Sequence, residues 1–502
     1  MSIRYVSLKA LQRSHSPRSE TSESRWHTLL LNDDGRLLSW TRTIQTDPQR
    51  MAQILGAITK TNQYGEYLSI RCWCAQPPRY SPDTRALKLL MAEAPDEIAD
   101  PDQWLFLDTE TTGLAGGSGT YAFLVGIAWW EGGGLEIEQF FMREYSEERS
   151  LLFALRERVA EHPVVVTFNG KSFDWPLLET RFLMTRAIAP RPPSAHLDLL
   201  HPARQLWRPR LGSVRLAELE RHVLGPARLG WDRRDDIDSA FIPQVYFDFL
   251  RGGPPKRLAS VFRHNQMDLR GLAALAGRIS ALLSLPGAAE DSESDARDIY
   301  GLSRLFCRRG EPERARVLYE RALSAGLPTV MARAARRELA LLAKRERDFE
   351  RANALWEEQL DCLLGGVRER GPGLLSQSVG VQHTVPLQPS SPAIEPDNTV
   401  DATLEAYEQL AIHYEHRAQQ PQRAAELTRA ALAQLRRALR DLQTRPGYSS
   451  VMEARRGRRW QARLEHRLAR LQRSATHSDS PPLLEPGSSE PRQRARESNK
   501  RR

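Results

Sequence analysis

The stretch that decides the fold spans residues 104–113 and reads WLFLDTETTG. Its four leading apolar residues predict a buried central strand, and the end of that strand carries Asp108 and Glu110. Side chains two positions apart project from the same face of a strand, so the two carboxylates would lie side by side. A divalent cation that prefers oxygen ligands, Mg²⁺ or Mn²⁺, would relieve their repulsion and the cost of their burial. The alternative is a strand that ends in water with two solvated acids.

A second stretch, residues 164–176, reads VVVTFNGKSFDWP and predicts a buried strand, a turn and a helix that opens with Asp174. This order can bring a third carboxylate towards the first two, although Asp is also common in the first turn of a helix. The triplet from Gly170 to Ser172 is not a phosphate-binding loop, because Val165 stands where that motif requires its first glycine.

A third stretch, residues 262–269, reads FRHNQMDL. His264 and Asp268 are four positions apart and would share one face of a helix. Taken alone, a solvated pair on a helix surface explains them equally well. Beside the first two stretches, they become a candidate fourth carboxylate and a candidate base.

The order of predicted elements favours an α/β fold with a mixed sheet and helices on its faces. Strands at residues 104–107, 121–130 and 135–143 form an antiparallel meander, followed by alternating helix and strand. Further strands are predicted at 27–31, 67–74, 164–168 and 196–199, and helices at 47–59, 147–161, 173–185, 216–223 and 265–283.

Beyond about residue 290 the sequence changes to Ala/Arg/Leu/Glu-rich helices without strands. The segment 313–323 recurs at 422–432, with a variant at 350–356, and the two clear copies each follow a shorter helix. Small alanines at the helix crossings, with a large residue four later, resemble tetratricopeptide repeats.

These changes in composition divide the chain into six predicted regions. They are residues 1–100, of unclear fold and partly disordered; 101–285, the α/β domain; 295–366, helical repeats; 367–400, a flexible insertion; 401–473, a further helical repeat and long helices; and 474–502, a disordered basic tail.

The totals place limits on function. The net charge of +9 fits a polyanionic partner without requiring one. The 4 cysteines are too few for a disulfide framework, and Cys72 and Cys74 lack a second ligand pair at zinc spacing. The first 20 residues have no apolar core, and the sequence contains no run of about 18 apolar residues, so we expect neither a signal peptide nor a membrane span. The expected location is the cytoplasm.

Together the three motifs resemble the DEDD superfamily of 3′→5′ exonucleases, which have a ribonuclease-H-like fold. Within it, the chain is similar to the YprB-like bacterial group, in which tetratricopeptide-like helices follow the nuclease-like domain. The resemblance implies that two metal ions are held by Asp108, Glu110, Asp174 and Asp268. It also implies that His264 is the general base. Here a histidine, the base of one subclass, stands at the four-residue spacing that belongs to the tyrosine subclass.

Several residues are candidates for contacts with single-stranded nucleic acid. Arginines interleaved with a tryptophan suit a phosphate backbone and a stacked base, although a solvated basic loop is an equal alternative. The candidates are Asn169, Lys171, Arg204, Trp207, Arg208, Arg210 and Arg215. Asp198 could assist the base, but a structural role at a strand end is favoured.

Three hypotheses follow from the sequence. The preferred one is a metal-dependent 3′→5′ exonuclease acting on single-stranded DNA or RNA. The second is a nucleic-acid-binding protein with a nuclease-like fold, little turnover and a repeat scaffold for protein partners. The third is a repeat scaffold whose N-terminal half is only structural. The presence of all four candidate metal carboxylates favours the enzyme.

Overall fold

The structure is a computed structural model, and it describes residues 48–75, 84–91, 95–113, 119–186, 192–284, 295–368, 399–443 and 449–478. The strand predicted at 27–31 lies outside these residues, as do most of the insertion at 367–400 and of the tail at 474–502. The described residues divide into two compact units: those within Met1–Leu199 and Leu219–Ser280, and those within Leu200–Glu218 and Ala281–Arg502. Within the described residues, no helix is both long and apolar enough to cross a membrane.

The first unit is built on a seven-stranded mixed sheet with the order β1-β2-β5-β4-β3-β6-β7. The strands are β1 Ile58–Asn62, β2 Gly65–Cys74, β3 Trp104–Thr111, β4 Ala122–Glu131, β5 Gly134–Phe141, β6 Val164–Thr167 and β7 Ala195–Asp198. The pairs β1–β2, β2–β5, β5–β4 and β4–β3 are antiparallel. Strands β6 and β7 pair parallel to β3 and to each other. The meander is confirmed, and β1 and β2 extend its sheet.

The helices up to residue 284 are α1 Pro48–Leu55, α2 Thr84–Lys88, α3 Glu148–Glu161, α4 Asp174–Met184, α5 Leu200–Leu211, α6 Leu216–Leu219, α7 Pro226–Leu229, α8 Ile242–Leu250 and α9 Leu258–Ser284. A π-helical turn, Glu220–Leu224, follows α6. Aromatic residues join α8 and α9 to the sheet. The ring of Tyr246 stacks on Phe123 with centroids 4.0 Å apart, and Phe141 packs edge-on to Phe262 at 5.1 Å.

Two adjacent residues of β5 show that both faces of the sheet are covered. Glu138 accepts a hydrogen bond from Arg158 of α3 at 2.9 Å. Gln139, on the opposite face, donates to Asn265 of α9 at 2.8 Å. Side chains alternate between the two faces along a strand, so these two residues point to opposite faces. Each finds a hydrogen-bond partner on the helix that covers its face, and this satisfies a polar side chain in a buried strand.

The second unit is helical in its described residues. Besides α5, it contains α10 Ala296–Arg308, α11 Pro312–Ser324, α12 Thr329–Arg345, α13 Phe349–Arg368, α14 Thr399–His416, α15 Pro421–Gln443 and α16 Ser449–Ser478. Alanines of the recurring segment, Ala315 and Ala322 in one copy and Ala424 and Ala431 in the other, are completely buried. Small buried side chains allow helices to approach closely.

The predicted fold class is confirmed, whereas several element boundaries were wrong. The helix predicted at 47–59 ends at Leu55, because Ile58 and Thr59 pair in β1. The helix predicted from Asn265 begins at Leu258, so the third motif lies inside it. The predicted helix at 216–223 changes into the π-helical turn after Leu219.

Candidate active site

Asp108 and Glu110 occupy the end of β3, where the strand emerges from the core. The residues from Trp104 to Leu107 are buried, and those from Asp108 onward are partly exposed. Burial raises the pKa of Asp108 well above its usual range, and the charges of Asp268 and Glu110 raise it further. Burial also raises the pKa of Glu110, to about 8. The two carboxylates therefore repel each other and the acids around them, as the spacing predicted.

The carboxylate of Asp108 is positioned by a buried amide network. Asn265, which has no solvent exposure, donates to Asp108 Oδ2 at 2.7 Å. Gln139 in turn donates to Asn265 Oδ1 at 2.8 Å and accepts from Gln266 at 2.8 Å. Gly126 pairs with both Asp108 and Gln139, and a Cβ there would lie 2.0 Å from Asn265 Oδ1. The missing side chain thus makes room for Asn265 against the sheet.

Asp174 is the first residue of α4. It contacts β3 at Thr109, beyond the point where the pairing of β3 with β6 ends. The hydroxyl of Thr109 donates to Asp174 Oδ1 at 2.5 Å. Burial raises the pKa of Asp174 to about 6, although hydrogen bonds from the hydroxyl and backbone of Thr109 oppose the rise. The charge of Asp174 also raises the pKa of Asp108, so the carboxylate of the second motif lies close to those of the first.

The third motif, on α9, completes the cluster. Ligand atoms of Glu110, His264 and Asp268 all lie within 4.8 Å of one another. His264 Nε2 lies 3.5 Å from Asp268 Oδ2. Carboxylate oxygens are the ligands preferred by Mg²⁺ and Mn²⁺, and imidazole also suits transition metals. This donor set fits a divalent cation.

His264 is almost completely buried and is held from both sides. Its Nδ1 lies 2.9 Å from Asp236 Oδ2, and its Nε2 lies 3.3 Å from the hydroxyl of Ser239. A carboxylate at Nδ1 assigns the proton of the neutral ring to that nitrogen, so Nε2 carries the lone pair that can accept a proton. Burial alone would lower the pKa of His264. The hydrogen bond with Asp236 and the charge of Asp268 outweigh burial and raise the pKa.

Asp198 has the structural role that the sequence favoured. Its carboxylate accepts from the backbone of Asn169 at 2.8 Å and of Lys171 at 3.1 Å. These bonds hold the turn of the second motif, in which Asn169 has a left-handed φ of 73°. Lys171 is exposed, one turn ahead of the helix that carries Asp174.

The predicted basic segment is the helix α5 and the chain after it, in the second unit. Trp207 is only 2% exposed, so the expectation that its indole stacks on a base is wrong. Arg210 pairs with Asp298 at 2.8 Å within the same unit. Arg204, Arg208 and Arg215 are exposed. The carboxylate cluster belongs to the first unit.

Sequence reasoning missed the residues that orient the acids. Asn265 and Thr109 stand next to recognised motif residues, and that adjacency was the available signal. Asp236 and Arg233 lie in the charged run DRRDD at residues 232–236, which reads as a solvated loop. Nevertheless, Arg233 and Asp236 are both mostly buried.

Comparisons with known proteins agree with this fold. Residues 105–280 match the RNase_H_2 family model, described as RNase_H superfamily. Residues 105–280 therefore contain a domain of that superfamily, with a nuclease-like fold, and the match includes the four carboxylates and His264.

The chain is also similar to a protein of Bacillus subtilis (strain 168), "Uncharacterized protein YprB". The two are 33% identical over 254 residues, which is 50% of this chain and 59% of the relative. The chain thus spans less than two thirds of that relative's length.

Proposed function

We propose that this protein is a metal-dependent 3′→5′ exonuclease that acts on single-stranded DNA or RNA. The observation that carries the proposal is the convergence of four carboxylates within a domain of the RNase H superfamily: Asp108, Glu110, Asp174 and Asp268. Crowded, partly buried acids with raised pKa values store repulsion that divalent cations relieve.

The same acids are proposed to hold two ions, Mg²⁺ or Mn²⁺. Glu110 and Asp268, whose ligand atoms lie close together, would share one of them. When bound, such ions lower the pKa of an attacking water and stabilise charge on the leaving oxygen. Asn265 fixes the direction of the Asp108 carboxylate, and Thr109 fixes that of Asp174.

His264 is the proposed general base. Its Nε2 points towards Asp268, and Asp236 holds its Nδ1, so a proton from the attacking water would be taken at Nε2. This proposed role of His264 does not depend on its four-residue spacing from Asp268, because Asp236, in a separate part of the chain, orients the imidazole.

Substrate contacts are proposed at exposed basic residues. Lys171, near the start of α4, is suited to a phosphate close to the acids, and Asn169 shares its turn. Arg204, Arg208 and Arg215 present positive charge on the second unit. The helical repeats are proposed to bind a protein partner.

The test uses single-stranded DNA and RNA oligonucleotides labelled at the 5′ end and incubated with Mn²⁺ or Mg²⁺. We expect products that shorten one nucleotide at a time from the 3′ end, and no products with a chelator. A phosphorothioate linkage at the 3′ terminus should slow this shortening. Full-length substrate after long incubation with either metal would contradict the proposal.

The alternative is a binding protein with a nuclease-like fold and little turnover. It is favoured by one observation: Asp268 already pairs with Arg233, so a basic side chain of the protein occupies one oxygen of one of the four acids. Retarded migration of uncleaved oligonucleotide in a native gel would select this alternative.

A further inference from the structure

A buried arginine lies at the edge of the carboxylate cluster. The side chain of Arg233 is 10% exposed and contacts three acids. Its Nε and Nη2 donate to the two oxygens of Glu220 at 2.6 and 2.7 Å. Its Nη2 also lies 2.5 Å from Asp268 Oδ1, and its Nη1 donates to Asp236 Oδ2 at 3.0 Å.

The guanidinium is anchored by Glu220 as well as by Asp268. Glu220 is 4% exposed and forms a two-point pair with Arg233, the geometry that fixes a guanidinium most firmly. Glu220 packs against α9 at Gly271, where a Cβ would lie 1.9 Å from its Oε1. The positive charge would therefore stay in place if the partner of Asp268 changed.

This anchoring makes the acids of the cluster unequal. Asp268 has one oxygen on Arg233, and its other oxygen faces His264 Nε2 at 3.5 Å. Among the described residues, by contrast, no arginine or lysine pairs with Asp108, Glu110 or Asp174, and the charges of Glu110 and Asp174 add to that of Asp268 in raising the pKa of Asp108. A divalent cation placed beside Asp268 would meet a fixed positive charge, whereas one among the other three acids would meet chiefly negative charge.

We propose that Arg233 is a built-in cation that weakens divalent-ion binding beside Asp268, so that the protein without nucleic acid binds one ion tightly and a second one weakly. The inference rests on the proposed function, because it assumes that the acids hold metal. In this role Arg233 is a positioning residue for Asp268 and Asp236.

The test is a titration of the full-length protein with Mn²⁺ at pH 7.5, without nucleic acid, in which paramagnetic resonance measures free Mn²⁺. We expect one Mn²⁺ per chain to bind at least about tenfold more tightly than the next. Two Mn²⁺ ions bound with affinities within a factor of about three would overturn the inference.

Variants separate the charge of Arg233 from its structural role. Arg233→Met alone would leave Glu220 buried without its partner, so the variant to use is Arg233→Met with Glu220→Gln. In this double variant we expect the second Mn²⁺ to bind about tenfold more tightly than in the wild type. Arg233→Lys keeps the charge but loses the two-point pair, and it should retain the weak second site.

Arg234→Met is the matched control, because the Arg234 side chain is 86% exposed and pairs with Asp232. Its Mn²⁺ binding should equal that of the wild type. If Arg233→Lys and the double variant both gain the second site, or neither does, charge at this position does not control ion binding and the inference fails.

The two proposals can fail separately. A protein that cleaves oligonucleotides but binds two equal Mn²⁺ ions would remain a nuclease and would refute the role of Arg233. A protein that binds one tight Mn²⁺ and cleaves nothing would support that role and count against the nuclease.

Discussion

At the scale of the residue, the orientation of His264 depends on Asp236, 28 positions earlier in the chain. The hydrogen bond with Asp236 raises the pKa of the imidazole and directs Nε2 towards the acids. As the proposed general base, His264 must be neutral to accept a proton, so the proposed activity should fall as the pH drops through this pKa. Metal ions bound nearby would lower the pKa without changing this sign.

We expect Asp236→Asn to shift the acid limb of the rate profile to lower pH, because the loss of a carboxylate lowers the pKa of His264. Its maximum rate should also fall, since Nδ1 is no longer held by an anion. His264→Ala should lose about 10²-fold or more. The measurement is single-turnover cleavage from pH 5.5 to 9. Asp235→Asn, at an exposed neighbour, is the control. An unshifted acid limb in Asp236→Asn would show that Asp236 does not tune the base.

The sequence predicted the acids but not the residues that orient them, for a physical reason. Asp108 and Glu110 are two apart, and His264 and Asp268 four apart, so local periodicity alone places each pair on one face. Asn265 meets Asp108 across 157 positions of chain. Such a contact follows from the packing of α9 on the sheet, which no local spacing encodes.

At the scale of the element, the fit of α9 against the sheet depends on Gly126 of β4. A Cβ at this position would fall 2.0 Å from Asn265 Oδ1 and would displace the amide that positions Asp108. We expect Gly126→Ala to lower the free energy of unfolding by about 1–3 kcal/mol, the usual cost of overpacking. Activity should fall as well.

The measurement for Gly126→Ala is denaturant unfolding together with the cleavage rate. Gly119→Ala is the matched control, because its Cβ would meet nothing within 4 Å and the position is exposed. An unchanged stability and rate for Gly126→Ala would mean that α9 adjusts to the added methyl group.

The elements that sequence reasoning misjudged share one feature: their environment overrides their local pattern. The segment from Arg204 to Arg215 was interpreted either as a contact for single-stranded nucleic acid or as a solvated basic loop, yet most of it is the helix α5, which buries Leu206 and Trp207. Ile58 and Thr59 fit a helical spacing, but both are β-branched and pair with β2. The meander was predictable because short turns connect neighbouring strands.

At the scale of the whole molecule, the acid cluster should make stability depend on pH and metal. The folded state raises the pKa of Glu110 from 4.5 to about 8 and that of Asp174 from 3.8 to about 6. Between the unfolded and folded pKa values of each group, the folded protein binds more protons than the unfolded chain. The free energy of unfolding therefore falls as the pH rises. The raised pKa of His264 has the same sign.

We therefore expect the free energy of unfolding of the metal-free protein to fall by on the order of 2 kcal/mol between pH 5 and 8.5, after allowance for partial exposure. The unfolding temperature should fall with it. Mn²⁺ should raise it more at pH 8.5 than at pH 5. Glu110→Gln should flatten the metal-free dependence, and Glu157→Gln, at an exposed site on α3, should not. A metal-free stability that rises across this range would refute the repulsion on which the site depends.

The central claim is that the carboxylates of three separated motifs act as one metal-dependent hydrolytic centre. Asp174→Asn tests it most directly, because the amide oxygen can still accept from Thr109 while the negative charge is lost. The measurement is single-turnover cleavage of a labelled single-stranded oligonucleotide at saturating Mn²⁺, beside Glu157→Gln. We predict that Asp174→Asn remains folded and loses at least about 10²-fold in rate, whereas Glu157→Gln matches the wild type. Wild-type turnover in folded, metal-saturated Asp174→Asn would contradict the claim.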